Sequence, residues 1–195
     1  NESTAIFANV SYHISDQLTL ALGTRYFEDD ATADIPAFLL TDKGSFDKLS
    51  SKASLSYQMS EQATAYLSVS EGFRSGGFNF SGADSYEPET LISYELGAKA
   101  SLLDRRLNVE AAWFLSKYSD YQATTIDQDT GFSITGNPGE IEVQGIEWST
   151  LLRITEQFSL GLNANITNAE FIAIDPDTSL VNKGDAVFLI PKFNY

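Results

Sequence analysis

The chain has no cysteine, one histidine and one methionine in 195 residues. The first absence excludes a disulfide scaffold, a thiolate nucleophile and any cysteine-ligated zinc site. With His13 alone a multi-histidine metal centre is impossible. A Ser-His pair would need that one residue, which ends an alternating segment beside a short polar turn. Cations are scarce as well: 12 Lys+Arg against 27 Asp+Glu leave a formal charge of −15 at pH 7. No basic run interrupts that charge, which repels phosphate and excludes a nucleic-acid partner. No apolar run approaches the roughly 20 residues of a membrane-spanning helix. Strands stay possible, because a spanning β-strand needs only about 9–11 alternating residues. With 43% hydrophobic and 20% charged residues the composition fits a folded chain, neither disordered nor coiled coil.

What is present is period-2 alternation. In 158–166, Phe158, Leu160, Leu162, Ala164 and Ile166 share one face, and Ser159, Gly161, Asn163 and Asn165 the other. In 18–27, Leu18, Leu20 and Leu22 oppose Thr19, Ala21, Gly23 and Arg25. In 92–101, Ile92, Tyr94, Leu96, Ala98 and Ala100 oppose Ser93, Glu95, Gly97, Lys99 and Ser101. Segments 4–14, 52–59, 63–74 and 140–152 repeat the pattern less cleanly. The window 102–118 is ambiguous. Leu103, Leu107, Ala111, Phe114 and Tyr118 make a helical stripe, whereas Val109, Ala111, Trp113 and Leu115 alternate with Asn108, Glu110 and Ala112. The strand is preferred, because its neighbours are strands and Asp104-Arg105-Arg106 reads as a turn. Roughly eight to nine strands fit the chain. It opens at Asn1 without methionine and stops inside a new alternating segment at Tyr195, so a piece of a longer protein is expected.

The connections alternate in length. Short polar links stand at Ser15-Asp16-Gln17, Ser60-Glu61-Gln62, Asp104-Arg105-Arg106 and Thr155-Glu156-Gln157. Long links rich in Gly, Asp, Asn, Ser and Pro lie around 29–46, 75–90, 125–139 and 173–186. In an up-and-down meander every second link falls at the same end, so all short links share one rim and all long links the other. Outer-membrane barrels sort their loops this way, and soluble sandwiches have no reason to. The predicted fold is all-β, an antiparallel up-and-down transmembrane β-barrel segment that does not complete a barrel. Leu20, Leu22, Leu160 and Leu162 are expected to face lipid; Arg25, Glu95, Lys99, Glu110 and Glu147 are expected on a wet or plugged lumen. Tyr12, Tyr26, Phe27, Tyr57, Phe73, Tyr94, Phe158 and Phe171 cluster towards strand ends, as interfacial girdles do, although strands are aromatic-rich in any case.

At Ser68-Val69-Ser70-Glu71-Gly72-Phe73-Arg74-Ser75-Gly76-Gly77-Phe78-Asn79 the sequence resembles the barrel of TonB-dependent outer-membrane receptors. Further matches follow in order at Tyr86-Glu87-Pro88-Glu89-Thr90, Ser93-Tyr94-Glu95-Leu96-Gly97, Trp113-Phe114, Tyr118-Ser119-Asp120-Tyr121-Gln122 and Gly145-Ile146-Glu147. The resemblance implies that residues 1–195 are part of one barrel domain of about 22 strands. It also implies an outer-membrane receptor that imports a scarce nutrient, commonly a ferric siderophore, with energy from the inner-membrane TonB complex. The family's plug domain and energy-coupling box have no counterpart in these residues. Implied partners are outer-membrane lipid, lipopolysaccharide, the TonB complex through the missing plug, and a small-molecule cargo; no catalysis and no resident cofactor are implied. The rivals are a small passive outer-membrane channel or adhesin barrel, and a soluble ligand-binding barrel that would purify without detergent.

Sites follow the same weighing. Gly72, Gly76 and Gly77 lack the Gly-Lys-Ser/Thr and the helix of a phosphate loop, so tight backbone geometry at a strand exit is expected. Asp127-Gln128-Asp129-Thr130-Gly131 lacks the full calcium loop and reads as a turn, leaving no metal site. Acidic residues gather in the long links, among them Glu28, Asp29, Asp30, Asp34, Asp84, Glu87, Asp175 and Asp185. That charge suits divalent cations bridging lipopolysaccharide, and it does not steer an anionic chelate inward. Candidate cargo contacts are Arg74, delivered to the long-link rim, with Phe78, Phe80 and Tyr86 in the loop that follows. A guanidinium offers paired hydrogen bonds to carboxylate, catecholate or hydroxamate oxygens, and phenyl rings cover an apolar chelate face. The plainer alternative pairs Arg74 with Glu71 or Glu89 and uses the Phe rings to pack the loop.

Overall fold

The computed structural model describes residues 2–35, 40–79, 83–127, 130–175, 181–188 and 190–195. Among these there is no helix. The strands are β1 (Glu2–His13), β2 (Leu18–Ile35), β3 (Leu40–Ser60), β4 (Ala63–Arg74), β5 (Glu89–Leu102), β6 (Leu107–Ser119), β7 (Ala123–Ile126), β8 (Ser133–Gly136), β9 (Gly139–Arg153), β10 (Ser159–Ile174) and β11 (Phe193–Asn194). Nine of them form one antiparallel sheet in the order β1-β2-β3-β4-β5-β6-β9-β10-β11, while β7 and β8 pair as a separate hairpin. The meander is as expected, and the sheet is not closed. The ambiguous window is strand β6, whose Leu107–Tyr118 pair with both β5 and β9.

Three of the short turns share a device: a Ser or Thr followed by an acid and Gln. The Ser15 hydroxyl accepts the amides of Gln17 and Leu18 (3.3 and 3.1 Å), Ser60 that of Gln62 (3.2 Å), and Thr155 those of Gln157 and Phe158 (3.2 and 3.0 Å). Each such bond is worth about 0.5–1.5 kcal/mol net and fixes the turn locally. The β5–β6 turn has no hydroxyl and instead runs through left-handed backbone at Leu103, Asp104 and Arg105 (φ 54°, 54° and 65°).

The first long link departs from expectation. Most of 29–46 is not loop: β2 and β3 stay paired out to Asp34↔Thr41 and Ile35↔Leu40. The β3–β4 ladder, by contrast, ends at Lys52↔Ser70. Beyond it β2 and β3 run on, with β1 still paired to β2 as far as Glu2↔Asp30 and as a two-stranded ribbon past that point. The Glu71 carboxylate accepts the Ser51 amide (2.8 Å), capping the first β3 donor past the last pair. The third long link also holds structure, the β7–β8 hairpin. In and just after the fourth, the chain touches the edge of β10 at Gly184, Val187 and Lys192, with Gly184 N to Phe171 O (2.8 Å), Val187 N to Ala169 O (3.0 Å) and Thr167 N to Lys192 O (2.9 Å).

The two faces differ as the alternation requires. Leu22, Leu55, Leu67, Leu96, Trp113, Ile146, Leu160, Leu162 and Ile166 are all exposed on one face, Leu160 and Leu162 to 56% each. Leu20 shares that face and is half-buried against its strand neighbours. The inner face carries Arg25, Glu95, Lys99, Glu110 and Glu147. A large apolar surface left open to water would be a liability, so its natural solvent is hydrocarbon. The aromatic assignment needs correction. Tyr12, Tyr26, Tyr57, Tyr94 and Phe158 are exposed, but Phe171 is buried and Phe27 meets Phe73 edge to face at 6.2 Å beside Arg25. Those last three line the interior.

Candidate functional site

The inner face has two characters. Near the short turns, Tyr66, Glu95, Lys99, Glu110, Glu147 and Asn163 line a recess of about 430 Å³. Lys99 pairs with Glu110 at 3.3 Å, and its ammonium lies 5.8 Å from the Tyr66 ring centroid. The Tyr66 hydroxyl donates to Glu95, and its ring lies flat on Gly97, where any side chain would collide. Towards the long links the same strands turn apolar. Ile141, Val143, Ala169, Phe171 and Val187 are buried, with Phe114, Tyr118, Tyr121 and Ile174 packed on them. Val187 reaches this cluster because the segment along β10 lays it there.

Above the cluster, the loop between β4 and β5 is a built structure. Three amide side chains stitch it to its neighbours. Asn79 Nδ2 donates to Thr135 O (2.8 Å) and to Asp84 O (2.7 Å), while its Oδ1 accepts the Thr135 amide (2.8 Å). Asn137 makes the same two-point contact with the Glu87 backbone (2.8 and 3.1 Å) and also donates to Asp120 O (2.6 Å). Gln122, 5% exposed, donates from Nε2 to Ser75 O (2.9 Å) and Glu87 O (3.0 Å), and its amide donates to Glu89 Oε2 (2.7 Å). An amide side chain carries the same donor and acceptor as a peptide group, so the Asn79 and Asn137 contacts each imitate one rung of a sheet, whereas the Gln122 side chain only donates. None of the three was singled out from the sequence, because their partners lie 5 to 56 residues away.

The predicted contact residues occupy this rim. Arg74 ends β4, exposed, with Glu89 as its strand partner. Among the described residues no carboxylate lies within ion-pair distance of it, since the Glu89 carboxylate is turned to Gln122. Arg74 is close enough to Tyr121 to lower its pKa. Burial first, then Glu89, outweigh that and hold the Tyr121 phenol above its ordinary value. Tyr86 is half-buried; its backbone pairs with Gly77 (3.0 and 3.1 Å) and its ring folds over that glycine. A side chain on Gly76 would meet Phe46 at 2.8 Å, and the Phe78 ring approaches Gly44. Close packing, not a positive φ, is thus what demands these glycines. Phe78 and Tyr86 both pack within the loop, and they stand on the same rim as Arg74. Phe80 lies outside the described residues. The Asp127 turn is closed by the Thr130 hydroxyl (2.7 Å) and by Gly131 at φ 73°.

The family model for the TonB dependent receptor-like β-barrel matches residues 1–195. The pesticin receptor of Yersinia pestis is 22% identical, covering 98% of this chain and 29% of that protein. A probable TonB-dependent siderophore receptor of Acinetobacter baumannii, PiuA, is 27% identical over 86% of this chain and 22% of its own length. In structure, the ferric yersiniabactin uptake receptor FyuA from Yersinia pestis superposes with a TM-score of 0.76 at 21% identity, covering 98% of this chain and 30% of that one. The chain therefore spans less than a third of the length of each of these relatives.

Proposed function

The chain belongs to the TonB-dependent receptor family as part of its β-barrel, and on that premise we propose that the protein imports a ferric siderophore with TonB-derived energy. Membership places it in the bacterial outer membrane, among receptors and not among enzymes. Residues 1–195 form one portion of a single barrel domain. The outer face meets lipid and, towards the long links, lipopolysaccharide; coupling to TonB runs through the plug domain of the intact receptor. The observation that carries the reading is the ordered rim, where Asn79, Gln122 and Asn137 brace the loop beside an exposed Arg74 that has no carboxylate at ion-pair distance among the described residues. A cation on a braced scaffold loses little entropy when it engages cargo oxygens. Phe78 and Tyr86 supply the wall, with Phe80 between them in the chain. Cells carrying the full-length receptor should accumulate labelled ferric siderophore only while TonB is functional. Arg74→Ala, at matched surface expression, should weaken cargo binding about tenfold. Uptake that continues unchanged without TonB would make the protein a passive channel and sink the proposal.

A further inference from the structure

A second recess, of about 410 Å³, opens where the β3–β4 ladder ends, and it holds two cations and three phenyl rings. We infer that this recess, lined by Arg25, Lys52, Phe7, Phe27 and Phe73, binds an anionic aryl ligand whose ring carries carboxylate or paired phenolate oxygens. The inference rests on the import reading and names the cargo class.

The argument begins with charge. On the inner face Lys99 is neutralised by Glu110 at 3.3 Å, and on the outer face Lys117 is neutralised by Glu142 at 3.5 Å. Arg25 and Lys52 differ. Among the described residues neither has a carboxylate within 4 Å, although both line the same recess. The carboxylate that borders them, Glu71, has one oxygen turned to the Ser51 amide. In a chain this acidic, two uncompensated cations side by side are a local reversal of sign, which a concave surface focuses.

The aromatic part is as specific. The Arg25 guanidinium carbon stands 4.9 Å from the Phe27 ring centroid, and Phe73 meets Phe27 edge to face. Phe7, on β1 directly opposite Arg25, is exposed at 72% and flanks the same opening. A planar ring can stack against these phenyl groups while its oxygens take hydrogen bonds from the guanidinium and the ammonium. A non-aromatic ligand would use the cations and leave the rings wet; a cationic one would be repelled. The free acid and its ferric complex share this chemistry.

The test uses the full-length receptor in detergent, titrated separately with 2,3-dihydroxybenzoate, with its ferric complex and with a ferric trihydroxamate. Arg25→Gln with Lys52→Gln should weaken the dihydroxybenzoate forms at least tenfold and leave the trihydroxamate unchanged. Arg25→Lys should retain most of the affinity, and Phe27→Leu should weaken the aryl forms alone. Stronger binding of the ferric complex than of the free acid identifies the chelate as the source, and the reverse identifies the free acid. Equal affinity of wild type and double variant, or no aryl binding by wild type, overturns the inference. TonB-dependent uptake of another ferric siderophore would then leave the import reading standing. Aryl binding that depends on Arg25 and Lys52 in a receptor without TonB-dependent uptake would instead overturn the import reading and keep the site.

Discussion

On β6, β9 and β10 a single inner face passes from charge to dry packing within a few rungs. Near the short turns it presents Glu110, Glu147 and Asn163 around an open recess; near the long links it presents Tyr118, Ile141 and Phe171 in a sealed cluster. The strands are the same and so is their register, so the difference comes from what lies above them. The segment along β10 covers the upper rungs with Val187 and excludes water, and there apolar side chains are stabilising. Nothing among the described residues covers the lower rungs, and there hydrated charges are tolerated because they never leave water. In a one-layer sheet, burial is a local property of cover. The outer face completes the lesson: it is apolar across its middle, where the solvent is lipid, and turns polar towards the long links at Lys117, Glu142 and Gln144.

The largest effect should come from the sealed end. Ile141, 1% exposed, has no water to return to, so Ile141→Ala should cost about 2–5 kcal/mol in urea unfolding of the intact receptor in micelles. A loss under 1 kcal/mol would show that the cluster is not a core. Next is the outer face: Leu162→Arg should cost about 2–4 kcal/mol near the midplane, whereas Asn163→Arg, its inner neighbour, should be nearly neutral. Equal costs at the two positions would erase the distinction between the faces. Asn137→Ala removes three hydrogen bonds at the rim and should cost about 1–3 kcal/mol locally. It should appear as faster protease cutting between β4 and β5 with little change in global unfolding. Smallest is the open end, where Lys99→Gln deletes a half-exposed ion pair and should change stability by less than about 1 kcal/mol, less still in high salt.

The sequence made the sheet legible because lipid enforces a strict period of two, and a slip of one residue would turn Leu160 and Leu162 inward. It misled at 29–46 for the converse reason. A ribbon standing outside hydrocarbon needs no apolar face, so Glu28, Asp29, Asp30 and Asp34 look like loop while their backbone is paired. The short turns could be located from composition, and their Ser/Thr-acid-Gln device could have been read from the repetition itself. Phe171 was assigned to an interface because a strand end resembles a girdle position, and only the covering segment makes it core. The three amide clasps join residues far apart in the chain, and no local pattern announces such a pairing.

The ribbon also alters how the net charge of −15 should be weighed. At roughly 3.3 Å per residue, Asp34 and Asp42 stand about 20 Å or more out along it from Phe27 and Lys52. The Debye length at physiological ionic strength is about 8 Å, so charges at that remove are nearly invisible from the recess. What a ligand meets there is the lining itself, Arg25 and Lys52 against Glu71. By formal charge that lining is positive by one. The acidity that makes the chain as a whole hostile to anions is held at arm's length by the hairpin that carries it.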